Sequence, residues 1–261
     1  MSLARKSLPL LTGILFLGAW YAAHYLVSAD ERYLVPRPDT IVRAFSEEGA
    51  VLWSATLNTA LGALLGFASA VAVSFVLALL LSLSPLMRAS FYPYLMMLQM
   101  TPIVVLAPIV IQWAGPGLAS VAIITFLVCF FPMVVNTTQG LISTDRNLVD
   151  LFRMSRASRW QEIFLLRVPS ALPYFFTGLR IAATLATIGA IVGDLYAGSA
   201  AGGGGGLGFQ AIVFSAQFKI PALFAAAAAG CALGFLFVGV VVALHWLFLH
   251  QWHESFTRTD T

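Results

Sequence analysis

The side chains able to do chemistry in this chain are few, and they are unevenly placed. Residues 150–169 read DLFRMSRASRWQEIFLLRVP and carry Arg153, Arg156, Arg159 and Arg167, four of the fourteen basic residues of the 261-residue sequence. Guanidinium groups at that density suit an acidic protein groove, lipid phosphate or plain solvation on a water-facing surface. A net charge of only +3 does not make a nucleic-acid binder. Catalytic patterns are missing: there is no H-E-x-x-H, no G-x-S-x-G and no pair of carboxylates spaced for acid–base work. No G-x-x-x-x-G-K-[ST] occurs either, and the lysines are Lys6 and Lys219 alone. The run AGGGGGLG at 201–208 lacks the Lys and Ser/Thr that hold phosphate and magnesium, and reads as a flexible loop. His24, His245, His250 and His253 do not match metal-site spacing, so no metal site is expected. Cys129 and Cys231 lie inside apolar runs and read as buried free thiols.

The elements that must carry these residues are apolar helices. With 60% hydrophobic residues, 10% charged and a mean hydropathy of +0.90, the chain is far more apolar than a soluble core requires. Six segments reach the roughly 20 residues needed to cross about 30 Å of hydrocarbon. They cover about 8–27, 54–83, 91–113, 118–141, 171–196 and 221–249. The expected fold is therefore all-α: one polytopic membrane bundle over 1–261, with no room for a soluble catalytic domain. Gly62 and Gly66 have the small-xxx-small spacing that lets a second helix come close. Arg5, Lys6, an apolar stretch and Val27-Ser28-Ala29 also resemble a cleavable signal peptide, but the apolar run is long enough to span. With the N-terminus inside, the inner segments hold Arg5, Lys6, Arg88, Arg146, Arg153, Arg156, Arg159, Arg167 and Arg258, and the outer ones Arg32, Arg37, Arg43 and Lys219. That is nine against four, so the positive-inside rule favours N-in and C-in. It places 142–170 in the cytoplasm and the glycine-rich 197–220 outside.

The cytoplasmic loop is patterned. Leu148, Leu151, Phe152 and Ser155 share a helix face, and Ser158-Arg-Trp-Gln161 has the form of a capping box opening a second short helix. Trp160, Ile163 and Phe164 share that helix's apolar side, and Pro169 is expected to end it. Two amphipathic helices on the cytoplasmic face suit the lipid interface or a partner's groove. Within the spans, isolated polar residues are costly and are candidates for a pathway lining. Arg180, Thr184 and Thr187 lie on roughly one face of the fifth span, Asp194 near its outer end, and Gln99, Thr101 and Asn136 on the third and fourth. The same groups could equally serve as interhelical hydrogen bonds. Arg180 and Asp194 stand about 21 Å apart along a helix and cannot pair with each other.

The segment resembles the EAA loop of ATP-binding cassette (ABC) importer permeases, whose pattern is E-A-A, three residues, Gly, nine residues, I-x-L-P. Here Asp150, Leu151 and Phe152 take the E-A-A place, Arg156 the Gly place, and Leu166, Val168 and Pro169 the I, L and P places. ASRWQ (157–161) and ALP (171–173) are similar to the branch that imports nitrate, sulfonates, taurine, bicarbonate and related vitamins or pyrimidines. LVPRPDTIV (34–42), QMTPIVVLAPIVIQW (99–113), FFPMVVNTTQGL (130–141), FFTGLRIAATLATIGAIVGDL (175–195) and GGLGFQAIV (205–213) extend the likeness over most of the chain. Two departures stand out: bulky Leu151 and Phe152 replace alanines, and Arg156 replaces the glycine between helices. If Arg156 keeps a positive φ, its side chain costs roughly 1 kcal/mol.

The resemblance implies a permease subunit, not an enzyme, with no cofactor bound by this chain. It implies coupling helices (Asp150, Leu151, Phe152, Arg153, Arg156, Ala157, Ser158, Trp160, Pro169) seated on a cytoplasmic ATP-binding subunit in two copies, which holds the ATP and magnesium. It further implies a homodimer in a bacterial plasma membrane and an extracytoplasmic solute-binding protein. The wording of the fifth span is closer to permeases for pyrimidine-type thiamine precursors or riboflavin, while Arg180 suits an organic or inorganic anion. The competing class is an ion-coupled secondary transporter or channel. Against it stand the lack of a repeat between the two halves, the few charges within spans, and two cytoplasmic helices that a lone carrier would not use.

Overall fold

Long apolar runs in lipid must close their backbone hydrogen bonds within each segment, and here they do so as helices. A computed structural model describes residues 3–198 and 205–249. The glycines at 202–204 and His250, His253 and Arg258 lie outside the described residues. The helices are α1 (Leu3–Leu26), α2 (Pro38–Glu47), α3 (Gly49–Leu83), α4 (Pro85–Gln99), α5 (Ile103–Ala114), α6 (Leu118–Ile142), α7 (Arg146–Met154), α8 (Arg159–Gln161), α9 (Val168–Ala197), α10 (Leu207–Ala216) and α11 (Ile220–Leu249). A 3-10 turn covers Ala29–Leu34 and a π-helical segment Glu162–Arg167. Five helices are long and apolar enough to cross a membrane. The polytopic all-α bundle expected from composition is what forms.

Small residues set the packing. A Cβ on Gly62 would fall 2.6 Å from Val121 Cγ1, and one on Gly66 would fall 2.6 Å from the Ala122 carbonyl oxygen, so α3 and α6 touch nearly backbone to backbone. Ser74 Oγ donates to the Phe130 carbonyl at 3.0 Å further along the same pair. Residue numbers rise together on both helices, so α3 and α6 are parallel. α9 runs the other way against α6: Gly140 meets Ala171, Gly178 meets Asn136 and Met133, Gly189 meets Thr125, and Gly193 meets Val121. α11 is antiparallel to α9, with Gly230 on Ile191, Gly234 near Thr187, and the rings of Phe176 and His245 5.2 Å apart.

That parallel pair requires the chain between its members to cross back. The chain leaves α3 on one face and must enter α6 on the other, so residues 84–117 have to return across the bundle. They do so as α4 and α5, bent by 97° at the break between them. The single span expected over 91–113 is thus two half-helices. Pro102 precedes α5 as its N-cap and cannot donate an N–H to continue α4, and Met100 closes α4 with a tight turn.

Three other expectations change. The loop expected over 197–220 contains α10, in which Leu207, Gly208, Gln210 and Phe214 are buried. Cys129 is buried, its Sγ 3.3 Å from the Ala182 carbonyl, but Cys231 is exposed, on the wall of an open cavity between α9, α10 and α11. Pro169 ends nothing: α8, the π segment and α9 form one continuous helix over Arg159–Ala197. Pro169 falls in the first turn of α9, and the wider turn just before it shifts the hydrogen-bond register so that the missing N–H and the ring are accommodated. At the opposite face, Trp20 near the end of α1 donates to the Pro36 carbonyl at 3.0 Å and packs on Phe224 at the start of α11.

Candidate functional site

The loop face is shaped by two caps. Asp145 opens α7 by accepting from Asn147 N at 2.8 Å. α7 then closes with a reversed pair of bonds, Ala157 N to Phe152 O and Arg156 N to Arg153 O, both 3.0 Å. This is a Schellman ending, and Arg156 holds its left-handed position at φ +54°. The arginine therefore keeps the backbone conformation that glycine would supply, at a cost of about 1 kcal/mol. Ser158 starts the next helix with both capping-box bonds present: Gln161 N donates to Ser158 Oγ at 3.2 Å, and Ser158 N to Gln161 Oε1 at 2.7 Å.

These caps decide which side chains face out. Val149 and Ile163 are buried against the bundle, whereas Leu148, Leu151, Met154, Trp160 and Phe164 are exposed. Trp160 and Phe164 stack on each other, with centroids 5.9 Å apart and planes 12° apart. The second apolar stripe is thus split, giving Ile163 to the core and Trp160 and Phe164 to the surface, while of the first only Phe152 is half-buried and the adjacent Val149 enters the core instead. Asp150 is exposed and 4.0 Å from Arg153. Glu162, mostly buried, accepts from Arg167 at 2.5 Å and lies 3.7 Å from Arg153. Ala157 is half-buried, and Arg159 and Pro169 are exposed.

At the other end of α9, Asp194 is buried at the centre of a polar knot. Thr59 Oγ1 on α3 donates to Asp194 Oδ2 at 2.6 Å and accepts from Leu207 N at 2.8 Å. The backbone of Gly208 adds a further hydrogen bond to Asp194, and Asn58 Nδ2 donates to the Gly205 carbonyl at 3.0 Å. Gly205 sits at φ +66°, and a side chain on Gly206 would overlap the Asp194 carboxyl group. The glycine-rich run is therefore required at 205, 206 and 208, where α10 is drawn against α3 and α9. Over these residues it is a structural clasp.

The remaining polar candidates are spread along the bundle. Gln99 ends α4 and Thr101 lies in the break after it. Asn136, half-buried on α6 against Gly178, donates to its own helix at Pro132 O, 2.8 Å. Arg180 is exposed on α9, 3.4 Å from His245 Nδ1 on α11, and Thr184 Oγ1 donates to the Arg180 carbonyl. Thr184 and Thr187 border an apolar cavity of about 670 Å³ between α9, α10 and α11, with Cys231 on its far wall. Arg180 and Thr184 share an exposed side of α9, Asp194 lies inward, and Gln99 and Thr101 belong to another part of the molecule.

Comparison with known proteins decides the family. Residues 62–252, more than half of the chain, match the family described as the inner-membrane component of binding-protein-dependent transport systems. The chain belongs to that family. Among its relatives is the formylaminopyrimidine transport permease protein ThiX of Halalkalibacterium halodurans, 34% identical over 83% of this chain and 84% of that one. The riboflavin transport system permease protein RibX of Chloroflexus aurantiacus is 31% identical over 93% and 89%. The nitrate import permease protein NrtB of a Synechocystis species is 28% identical over 55% and 50%. The likeness drawn from the EAA-type loop is thereby established: the chain is an integral-membrane ABC-type permease subunit.

Several residues that shape this permease carried no signal in its sequence. Thr59 is one threonine in a long apolar run, spaced no differently from Thr56, which bonds only its own helix at Leu52 O. Glu162 looked like one more charge in a charged loop, yet it is the carboxylate around which Arg153 and Arg167 gather. Gly208 could have been found: a glycine two residues after Gly206 at a helix start signals a close backbone approach.

Proposed function

We infer that this permease carries a small solute into the cytoplasm, driven by ATP hydrolysed on a separate subunit that docks against the α7–α8 face. The observation that carries the reading is the exposed set Leu151, Met154, Trp160 and Phe164, held out by two capped helix ends beyond the spans. An apolar set of that size rimmed by arginines suits a partner's groove. Asp150, Arg153, Arg156, Ala157 and Ser158 border it, and Pro169 lies in the helix leading from it. ATP and magnesium belong to the partner subunit.

The rest of the assembly follows from chemistry and kinship. A guanidinium on the exposed side of a central spanning helix is too costly to face lipid. The Arg180–Thr184 side of α9 is therefore assigned to a solvated pathway shared with a second copy, giving a homodimer with two ATP-binding subunits. Gln99, Thr101 and Asn136 are assigned to the same route, and Asp194 to its outer closure. The face carrying residues 143–167 is cytoplasmic, N-in and C-in, because the arginines gather there. A solute-binding protein delivers cargo to the opposite face. Two relatives named for formylaminopyrimidine and riboflavin, each matched over more than four-fifths of this chain, favour a small heterocycle as the cargo class.

The test is purification of the tagged chain in mild detergent with its companions, followed by uptake in proteoliposomes. Co-purification of a Walker-motif ATPase and ATP-dependent uptake are expected, and deletion of 150–162 abolishes uptake while the chain still inserts. Solute movement by the chain alone without ATP, or undiminished uptake after the deletion, refutes the assignment.

A further inference from the structure

Two cavities adjoin on the loop face, where the bundle meets the loop helices. One, of about 360 Å³, lies between the last residues of α3 (Ser82, Leu83) and Arg153, Arg159, Glu162 and Arg167. The other, of about 270 Å³, lies between the end of α6 (Ile142, Thr144) and Arg146, Asp150, Arg153 and Arg167. Arg153 and Arg167 border both, so the two form one basic recess. Its walls hold four arginines against two carboxylates, an excess of two positive charges. Glu162 is already engaged with Arg167 and Arg153, and neither Arg146 nor Arg159 enters an ion pair among the described residues. The hydroxyl of Thr144, on the wall of the second cavity, is buried and has no hydrogen-bond partner.

We propose that this recess binds a phosphate group, supplied by the headgroup of an anionic phospholipid. Converging guanidinium groups and an unpartnered hydroxyl are the donors that a phosphate's oxygens accept from. The level in the membrane selects the source. Leu83 and Ile142 are the terminal residues of two long apolar helices, so the recess opens where hydrocarbon gives way to headgroups. It lies between the loop and the helix ends and shares Asp150, Arg153 and Ala157 with the rim of the α7–α8 surface assigned to the ATP-binding subunit. Lipid retention is read on this chain alone, without the ATP-binding subunit, so failure of the site and failure of that assignment are distinguishable.

The full chain, equilibrated in bilayers of equal phosphatidylglycerol and phosphatidylcholine, is examined by native mass spectrometry for retained lipid. Phosphatidylglycerol is expected to be retained over phosphatidylcholine. A cation near a membrane surface strengthens such binding about fivefold, so R146Q and R159Q singly lower the preference about fivefold and together roughly 25-fold. R32Q/R43Q, which removes the same charge from exposed residues outside the recess, leaves it intact. Inorganic phosphate at matched concentration should displace little lipid; if it competes fully, the phosphate site stands but its lipid source is refuted. Equal retention of both lipids, or a preference unchanged in R146Q/R159Q, overturns the site itself. Thermal unfolding of each variant, expected to match the parent because both arginines are exposed and outside the ion pairs, separates lost binding from lost folding.

Discussion

Thr59→Val tests the polar knot most sharply, because it removes one oxygen while keeping the side chain's shape. Thr59 is fully buried and, besides the carbonyl of Ala55 on its own helix at 3.0 Å, serves two partners beyond it, donating to Asp194 and accepting from Leu207 N. Losing the bond to the carboxyl group costs about 1–3 kcal/mol, and leaving the Leu207 N–H unsatisfied in a buried site costs about 1–3 kcal/mol more. The two losses share one oxygen, and the extra methyl group recovers roughly 0.8 kcal/mol, so the net is about 3 kcal/mol. For a chain of this size each kcal/mol moves the midpoint by roughly 2–4 °C, giving a drop of roughly 6–12 °C. The assay follows the buried Cys129 thiol with a thiol-reactive dye during heating, in a C231S background because Cys231 is exposed. Thr59→Ser keeps both hydrogen bonds and should lie within about 1 kcal/mol of the parent. If Thr59→Val melts within about 3 °C of the parent, or Thr59→Ser falls as far as valine, the knot does not fasten α10 to α3 and α9 in the way its geometry requires.

Other outcomes follow from local features. Arg156→Gly should stabilise the loop: relief of a left-handed L residue is worth about 1–2 kcal/mol, less about 0.4–1 for glycine's freedom in the unfolded chain, a gain of roughly 1–4 °C in the same assay. Thr184→Cys, in a chain lacking Cys231, should cross-link between two copies under mild oxidation if the exposed side of α9 lines a shared pathway; monomer throughout would refute that placement. At Asp39, partial desolvation raises the carboxyl's pKa, but the charge of Arg37 and hydrogen bonds from Tyr21 and Arg37 outweigh it and hold it below the ordinary range. Its stabilisation is thus full above the unfolded carboxyl value near 3.9 and fades as pH falls through the lower folded value. The thermal difference between the parent and D39N should accordingly be flat down to about pH 5 and shrink below about pH 4.

Much of this architecture was legible because lipid leaves few options. An apolar run of sufficient length must close its own hydrogen bonds, so spans near 54–83, 118–141, 171–196 and 221–249 could be read, although the helices that hold the first and third begin earlier, at Gly49 and Arg159. Gly62 and Gly66 pointed correctly to a close helix pair, and Ser158 with Gln161 to a helix start, because each rule concerns only a few neighbouring residues. The bend after Gln99 was not legible in the same way. Pro102 supplied a reason to break, but the 97° bend between the two halves depends on how they pack against the rest of the bundle, and no residue in the segment records that. Pro169 failed for the opposite reason: the rule that proline ends a helix is local, and a π turn one step upstream lifted it.

The polar residues within the spans show where reading must stop. Thr56, Thr59 and Thr184 look alike in sequence, each one hydroxyl in an apolar stretch. The fold gives them three different surroundings: Thr56 bonds its own helix, Thr59 joins three elements through Asp194 and Leu207, and Thr184 borders a cavity. A threonine can always satisfy itself on the carbonyl four residues back, so its presence in a span costs little and signals little. A charged side chain has no such local refuge, and for that reason Arg180 and Asp194 stand out in the sequence. Yet charge fixes only that a partner or water must be found. Asp194 finds its partners inward, among Thr59 and the glycines of α10, and so belongs to the scaffold that positions the outer end of α9. Arg180 faces outward beside His245, and the solvated route proposed above would meet the cost of its charge. The two ends of α9 are therefore held differently: one clasped inside the chain through Thr59 and Leu207, the other exposed.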